Sequence, residues 1–509
     1  MDTYTLKPLT NTKPIAITNT TAMNKLLLFC TALLLTISVQ AQQFDVSFSK
    51  DVLSEPFTGD VLLFLSQENK NPKNAFVPLE LPPVYRVQVT NLKPNEGVVI
   101  DDSAISYPNT LTNIERGPYY VQVVFDRNLG GQDMGKSPGN LFSEPQQLTF
   151  DKNFDTTHTL QANQVVPEIP FKETKQLKEL AIQSEVLSEF HNKEVTIAGA
   201  VSLPKEYHEN PDATYPVLFS VFGFGANYKI HSGSKKYAFT HLADTPVIVV
   251  YLDGNSPEGH STYANSDING PWGDALVKEF IPALEAQYRT NGAKFVFGHS
   301  SGGWTSLWLQ LNYPETFSGA WASAPDQVDF RNWQGEDIYE VDNLYYDANG
   351  NILADITMGG GYPIIAAKDM YQVEAVVSRG GQIRSFDAVF SSRDADGNII
   401  RLVDVETGDI NKEALPLFKR YDLSYQIRNN WETYKDVVNN DIRISIGEQD
   451  NFHLHKAVHL FDEEMKKLES TIEIDYYPGD HFTVFTPEYK EDGQRFLDKQ
   501  YRAWQQENK

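Results

Sequence analysis

The sequence predicts two folded parts: an all-β sandwich, followed by a mostly parallel sheet that is covered by helices and interrupted by an inserted cap. Short strand-like runs between turn residues fill the chain up to about residue 166. After that point apolar β-runs alternate with amphipathic helical stretches, as in a parallel sheet with helices on its faces. A segment from about residue 329 to residue 438 is too long for a loop, and we interpret it as the cap.

Residues 1–41 have the pattern of an upstream extension and a signal peptide. Met23 begins a better leader than Met1, because a short basic start and an apolar run from Leu26 to Val39 follow it. That run is shorter than the roughly 20 residues that span a bilayer, so we expect no stable membrane anchor. We expect cleavage near Ala41 and export to the periplasm or the medium.

Composition limits the classes of partner. The 509 residues are 41% hydrophobic, 12% aromatic and 22% charged, which is the balance of a globular protein. The formal net charge is −25, so the surface repels polyanions. We therefore expect no nucleic acid among the partners.

Residues 42–170 are predicted to form the N-terminal β-sandwich domain. Its clearest strand-like runs are Asp60–Ser66, Tyr85–Thr90, Tyr119–Phe125 and Gln147–Phe150. A Pro-containing link at Val165–Pro170, followed by a charged stretch, marks the predicted boundary.

Residues 171–509 are predicted to form the second domain. The predicted strands are Val195–Ala198, Pro216–Phe222, Pro246–Leu252, Lys294–Phe297, Ile442–Ile446 and Ile472–Tyr477. The predicted helices are Asp274–Tyr288, Gly302–Asn312 and His455–Leu468. The cap at about 329–438 carries the turn pairs Asn349-Gly350 and Asp396-Gly397, so we expect it to contain hairpins of its own.

The candidate nucleophile is Ser300. It lies in Gly298-His299-Ser300-Ser301-Gly302, a G-x-S-x-G pattern directly after a predicted strand and before a predicted helix. The two glycines permit a tight turn that lifts the serine hydroxyl out of the sheet edge, and the helix N-terminus faces developing negative charge. The alternative is a Gly-rich turn with a helix-capping serine.

An alkyl hydroxyl is a poor nucleophile at neutral pH, so Ser300 needs a base and a group that orients that base. Asp450 follows the penultimate predicted strand and His481 follows the last one. We predict Asp450 as the acid and His481 as the base. The competing carboxylates are Glu448, Asp480 and Asp326.

A tetrahedral oxyanion needs two preorganised N–H donors. We expect one to be the backbone N–H of Ser301, directly after the nucleophile. The other should come from Gly223-Phe224-Gly225, where the glycines let the backbone approach closely, and we choose Phe224. An ordinary glycine turn at the strand end is the alternative.

Three residues are possible substrate contacts: Trp272, Asn269 and His299. Trp272 precedes a predicted helix, and this position is at least as consistent with packing as with contact to a substrate.

No metal site is predicted. The histidines His453, His455 and His459 lack a third-ligand motif and lie on or beside a helix suited to packing. The sequence Asp394-Ala-Asp396-Gly397 departs from a calcium loop, and we interpret it as a hairpin turn.

The ordered set of motifs resembles the bacterial "putative esterase" family of the α/β-hydrolase superfamily, which includes enterochelin-esterase-like and carbohydrate-esterase-like proteins. The matching segments are Val201–Pro204, Tyr215–Phe219, Gly223–Gly225, Asn269–Ala275, Gly298–Trp304, Ser323–Asp326, Asp329–Arg331, Gly447–Asp450 and Gly479–His481. The resemblance implies an α/β-hydrolase fold and serine hydrolase activity on an ester, with Ser300, Asp450 and His481 as nucleophile, acid and base. Phe222 departs from the pattern, because many relatives have the histidine of a His-Gly oxyanion motif there.

We therefore predict an exported serine esterase that cleaves a carboxylic ester by a Ser-His-Asp triad through an acyl-enzyme, without a cofactor. The substrate is expected to be a small-molecule or polysaccharide-linked ester: an acylated sugar, a plant-wall phenolic ester or a siderophore lactone. The alternatives are a peptidase or acyltransferase on the same triad and a non-catalytic glycan- or protein-binding protein. The sequence leaves the oligomeric state and the ligand of the N-terminal domain open.

Overall fold

The computed structural model describes residues 42–151, 157–234, 240–358 and 361–508. The predicted signal peptide and its cleavage position near Ala41 lie outside the described residues. In the described ranges, no helix combines the length and the apolar character that a membrane crossing requires.

The N-terminal region is rich in β-structure. Its strands are β1 Gln43–Phe48, β2 Phe57–Ser66, β3 Val84–Leu92, β4 Val98–Ile100, β5 Ile105–Tyr107, β6 Gly117–Asp126, β7 Leu141–Phe142, β8 Gln146–Phe150, β9 Thr157–Ala162 and β10 Gln164–Val165, and helix α1 spans Val77–Glu80. The strands form one sheet in the order β4-β1-β9 and a second in the order β10-β7-β6-β2-β3-β5, with β8 paired to β6. Apolar residues from both sheets share one hydrophobic core.

The burial of side chains follows the pleat of the strands. In β1 every second residue is buried, Phe44 among them, as in a strand with one covered face. In β2 the whole run 61–65 is buried because both faces are covered. Leu63 contacts the core that the two sheets share, whereas Phe64 packs with Val373 on a later helix.

A buried ion pair joins the N-terminal region to residues 326–441, which we call the inserted segment. Arg379 Nε and Nη2 donate to the Asp126 carboxylate at 2.6 and 2.7 Å, and both side chains are buried. Arg379 Nη1 also donates to the carbonyl oxygen of Gly131 at 2.6 Å and to that of Pro257 at 3.0 Å. Burial raises the pKa of Asp126, but the Arg379 contacts outweigh it and leave this pKa below its ordinary value. The pair therefore fixes how the two parts sit together.

The rest of the chain contains the strands β11 Leu177–Ser184, β12 Val195–Ser202, β13 Tyr215–Val221, β14 His241–Leu242, β15 Thr245–Pro246, β16 Ile248–Leu252, β17 Asn255–Ser256, β18 Gly259–His260, β19 Asn265–Ser266, β20 Gly270–Pro271, β21 Thr290–Ser300, β22 Ala320–Pro325, β23 Ala354–Met358, β24 Tyr362–Ala366, β25 Ile442–Gly447 and β26 Glu473–Tyr477. Its helices are α2 Glu185–His191, α3 Lys205–Glu209, α4 Trp272–Ala275, α5 Ile281–Gln287, α6 Ser301–Asn312, α7 Ala367–Val377, α8 Gln382–Phe390, α9 Leu415–Phe418, α10 Leu423–Asn429, α11 Trp431–Asp441, α12 Leu454–Lys467 and α13 Pro487–Glu507.

Within the described residues, eight strands form the central sheet in the order β11-β12-β16-β13-β21-β22-β25-β26. The contacts of β11 with β12 and of β12 with β16 are antiparallel, and the strands from β16 to β26 are parallel. Every residue of β13 is buried, because apolar clusters cover both faces of the sheet. The carboxyl ends of the parallel strands meet at one edge, so the residues after β21, β22, β25 and β26 come together there.

In its described part, the segment between β22 and β25 contains more helix than strand. The predicted turn pairs close only isolated bridges, Tyr346 to Ile352 and Arg393 to Ile399, and the regular hairpin is instead formed by β23 and β24. The five helices α7 to α11 follow. The apolar residues of α8 recur at helical spacing and are buried, which explains why helices and not hairpins dominate.

Candidate active site

Ser300 is the last residue of β21 and has a strained backbone directly before α6. Its φ of 61° is in the left-handed region, which residues with side chains rarely adopt. A Cβ on Gly298 would lie 2.0 Å from the carbonyl oxygen of Gly302, and a Cβ on Gly302 would lie 2.1 Å from the carbonyl oxygen of Val221. The two glycines therefore allow the close backbone approach that holds Ser300 at the pocket.

Asp450 and His481 are in contact at the same edge of the sheet. His481 Nδ1 lies 2.6 Å from Asp450 Oδ2, and both side chains are buried. Because a carboxylate can only accept, Nδ1 carries the proton and Nε2 is left as the basic nitrogen. Asp450 Oδ1 also accepts from the N–H of Phe452 at 2.9 Å, and Asn451 Oδ1 accepts from the N–H of His481 at 3.1 Å. The loop after β25 thus orients both groups.

The three competing carboxylates make other contacts and are not hydrogen-bonded to His481 in the described residues. Asp480 accepts from the N–H and the hydroxyl of Thr483 at 2.8 and 2.7 Å, which stabilises the local turn. Glu448 is exposed. Asp326 contacts the serines of the motif and not the imidazole.

The hydroxyl of Ser300 donates to Asp326 Oδ1 at 3.3 Å, and that of Ser301 donates to Asp326 Oδ2 at 2.6 Å. Among the described residues no hydrogen bond joins Ser300 Oγ to His481, although both side chains line one pocket. Burial raises the pKa of Asp326 to about 6, so this carboxyl is mainly ionised at neutral pH.

The loop after β13 passes directly over the nucleophile. A Cβ on Gly223 would lie 3.0 Å from Ser300 Cβ, so only glycine fits without a shift. Phe224 lines the same pocket as Ser300. Ser301 is the first residue of α6, and its N–H belongs to the first-turn donors that lack an acceptor within the helix. Both predicted oxyanion donors therefore belong to backbone beside the nucleophile.

A buried histidine that the sequence analysis did not identify supports this loop. His260 Nδ1 accepts from the N–H of Thr262 at 3.0 Å, so Nε2 carries the proton and donates to the carbonyl oxygen of Phe222 at 2.9 Å. Burial lowers the pKa of His260 to about 4, so it stays neutral. His260 thus holds the backbone at the position where Phe222 departs from the family pattern.

The pocket at Ser300 has a volume of about 310 Å³ and is lined mainly by apolar side chains. Two of these, Phe76 and Leu79, belong to the N-terminal region, and the Phe76 ring lies 6.3 Å from the Phe224 ring. Gln382 of α8 also lines the pocket, and its Nε2 lies 3.4 Å from Ser301 Oγ. The N-terminal region and the inserted segment therefore both contribute to the wall.

Of the three possible substrate contacts, only His299 lines the pocket. The His299 ring lies 4.4 Å from the His481 ring, and burial keeps the pKa of His299 well below the ordinary value. Trp272 is buried in the core on one face of the sheet. Asn269 is buried beside Ser256 and does not line the pocket. The expectation that Trp272 and Asn269 contact a substrate is therefore not supported, because packing uses both side chains.

The histidine group near the acid is also used for packing. The His459 ring stacks on Tyr476 at 4.4 Å, and burial lowers the pKa of His453 to about 4. In the part of the chain that the structure describes, no three His, Cys, Asp or Glu side chains are grouped so as to hold a metal ion.

Several solved structures are similar to the chain at low identity. A ferulic acid esterase is 13% identical, with 64% of this chain and 97% of that one covered and a TM-score of 0.37. A fluorophosphonate-binding serine hydrolase of Staphylococcus aureus is 15% identical, with 63% and 97% covered and a TM-score of 0.39. An S-formylglutathione hydrolase from Agrobacterium tumefaciens is 15% identical, with 65% and 97% covered and a TM-score of 0.37.

None of the curated protein sequences matches the chain. A family model described as "Putative esterase" matches residues 189–506, which is more than half of the chain and includes Ser300, Asp450 and His481. The chain therefore belongs to this esterase family of the α/β-hydrolase superfamily, and it is a carboxylic ester hydrolase.

Proposed function

We propose that the enzyme cleaves its ester through an acyl-enzyme on Ser300, with His481 as base and Asp450 as the acid that orients it. The observation that carries this proposal is the contact of 2.6 Å between Asp450 and His481 at the pocket that Ser300 lines. That contact fixes the proton on Nδ1, so Nε2 is the atom that can accept the proton of the serine hydroxyl.

In the first step Ser300 Oγ attacks the carbonyl carbon while its proton passes to His481 Nε2. The carbonyl π pair moves to oxygen, and the backbone N–H groups of Phe224 and Ser301 stabilise the oxyanion. The oxyanion then collapses, the bond to the alcohol oxygen breaks, and the alcohol leaves with the proton from His481. Water repeats the sequence on the acyl-enzyme and releases the carboxylic acid.

The proposal is tested by comparing wild type with Ser300→Ala for turnover of 4-nitrophenyl butyrate and for covalent labelling by a fluorophosphonate. We expect labelling to disappear and kcat to fall by about 10⁴-fold or more, because the nucleophile is lost. The exposed Ser103→Ala is the matched control and should behave as wild type. Unchanged labelling and turnover in Ser300→Ala would contradict the mechanism. Peptide and acceptor-alcohol turnover, measured in parallel, separates the esterase from a peptidase or an acyltransferase.

We also propose that residues 1–41 are removed on export, that residues 42–170 form a β-sandwich domain, and that residues 171–509 form the catalytic domain with a cap at about 329–438. The apolar run in the leader supports export, and the core shared by two sheets supports the sandwich. The N-terminal sequence of the protein recovered outside the cytoplasm tests the first point. Processing at a position far from Ala41 would contradict it.

A further inference from the structure

The active-site pocket carries two acidic groups without a lysine or arginine partner. Asp326 and Asp355 both line it and both are buried. None of the described residues that line the pocket is a lysine or an arginine. A buried carboxylate without a counter-charge is destabilising unless it is protonated or a ligand supplies the positive charge.

Asp355 is the more unusual of the two. Both of its carboxyl oxygens are buried and have no hydrogen-bond partner. Buried polar groups in proteins are normally paired, so an unpaired carboxyl at a pocket indicates a group whose partner is a ligand. Asp355 lines the cavity, so a positively charged ligand there would lie close to this carboxyl.

The strand that carries Asp355 is tied to the triad. The N–H of Thr357 in β23 donates to the carbonyl oxygen of Asn451 at 2.9 Å, and Asn451 Nδ2 donates back to the carbonyl oxygen of Thr357 at 2.8 Å. Asn451 also accepts from the N–H of His481. The position of Asp355 relative to the catalytic imidazole is therefore fixed by hydrogen bonds.

The remaining wall of the pocket also suits a cation. Aromatic ring faces attract a cation through their quadrupole, most strongly where water is excluded. Six phenylalanines line the cavity: Phe76, Phe224, Phe386, Phe452, Phe482 and Phe485.

The reaction forms an oxyanion close to one of these carboxyls. The oxyanion forms beside Ser300, whose hydroxyl contacts the carboxyl of Asp326. Because the proton of Ser300 passes to His481, attack on a neutral ester leaves the net charge of the pocket unchanged, and only a cationic ester brings a positive charge to the two carboxyls. We propose that the pocket binds an ester that carries an ammonium group, and that Asp355 is the residue that selects for this charge. This inference rests on the proposed function.

The test uses two pairs of esters whose members differ only in an ammonium or a methyl end. One pair, 4-nitrophenyl 6-aminohexanoate and 4-nitrophenyl heptanoate, probes the acyl side, and the other, 5-aminopentyl acetate and hexyl acetate, probes the alcohol side. We expect wild type to have the higher kcat/KM for the ammonium member of at least one pair. Asp355→Asn should reduce the ammonium-to-methyl ratio on the order of tenfold or more, because a charge-assisted contact is lost. A preference for the methyl member in both pairs would overturn the inference, and so would an equal loss on both members in Asp355→Asn.

A second measurement needs no variant. Benzylammonium should inhibit heptanoate ester hydrolysis by wild type in competition with the ester, and at lower concentration than benzyl alcohol. Equal or weaker inhibition by the cation would also overturn the inference. Ser300→Ala in the same assay keeps the two proposals apart: activity retained without Ser300 refutes the mechanism, whereas a missing charge preference in a Ser300-dependent enzyme refutes only the role of Asp355.

Discussion

The unpaired carboxyl of Asp355 makes a sharp prediction about stability. Burial raises the pKa of Asp355 to about 7, far above the value of an exposed aspartate. Between the unfolded and the folded pKa the folded state binds more protons, so this group makes the free energy of unfolding fall as the pH rises. Asp355→Asn, which keeps the shape and removes the charge, should therefore stabilise the protein at pH 8.5 and have little effect at pH 4.5.

The magnitude follows from the two pKa values. A rise from 3.8 to about 7 corresponds to about 4 kcal/mol at pH values above both. For 509 residues the entropy of unfolding is roughly 1 kcal/mol per degree, so the expected rise in Tm at pH 8.5 is about 4 °C. Burial is the main cause of the raised pKa values of two neighbours, Glu374 and Tyr371, and the charge of Asp355 raises both further. Asp355→Asn removes this interaction as well, which also stabilises the folded protein at pH 8.5.

The assay is thermal unfolding of wild type and Asp355→Asn at the two pH values. Asp396→Asn, a change at an exposed aspartate of the same inserted segment, is the control and should shift Tm equally at both. An Asp355→Asn difference that does not depend on pH would refute the reasoning, because it would mean that water or a partner solvates the carboxyl in the folded state.

Three further changes test other parts of the structure. Asp450→Asn should lower kcat by about 10⁴-fold in ester hydrolysis with little change in Tm, because an amide favours the wrong imidazole tautomer; an unchanged kcat would exclude Asp450 as the acid. Gly302→Ala should prevent the native turn, since its Cβ would lie 2.1 Å from the carbonyl oxygen of Val221, and a native Tm would contradict this. Arg379→Met should destabilise by about 3–5 kcal/mol in urea unfolding, because it leaves Asp126 as an unpaired buried charge; adding Asp126→Leu should restore most of that loss.

Much of the catalytic fold could be predicted because its signals are local. The runs at β13, β16, β21 and β25 are apolar and bounded by turn residues, and each lies within a few residues of its predicted place. The strand β11 was missed, because the charged stretch from Lys172 to Lys178 was interpreted as part of the boundary and overlaps the start of this strand. Lys178 lies in an edge strand, where only one neighbour is needed and polar side chains can face water.

The candidate site was predictable to the same extent. Ser300, Asp450 and His481 each follow a strand, so the topology of a parallel sheet brings them to one edge without knowledge of any tertiary contact. The choice of Asp450 over Asp326 was not determined by that rule, because both follow strands of the sheet. Only the direction of the loops decides it: the loop after β25 carries Asp450 to Nδ1 of His481, whereas Asp326 turns towards the serines.

The residues that the sequence did not reveal share one property, which is that their partners are distant in the chain. His260 contacts the carbonyl oxygen of Phe222, directly after β13, and Phe76 lines the pocket from the N-terminal region. Contacts of this kind carry no local pattern. They also mean that the pocket is complete only when the N-terminal region is docked, because Phe76 and Leu79 form part of its wall and the buried pair of Arg379 and Asp126 holds that docking in place. We therefore expect substrate selection to depend on the N-terminal region as well as on the part of the chain that carries Ser300.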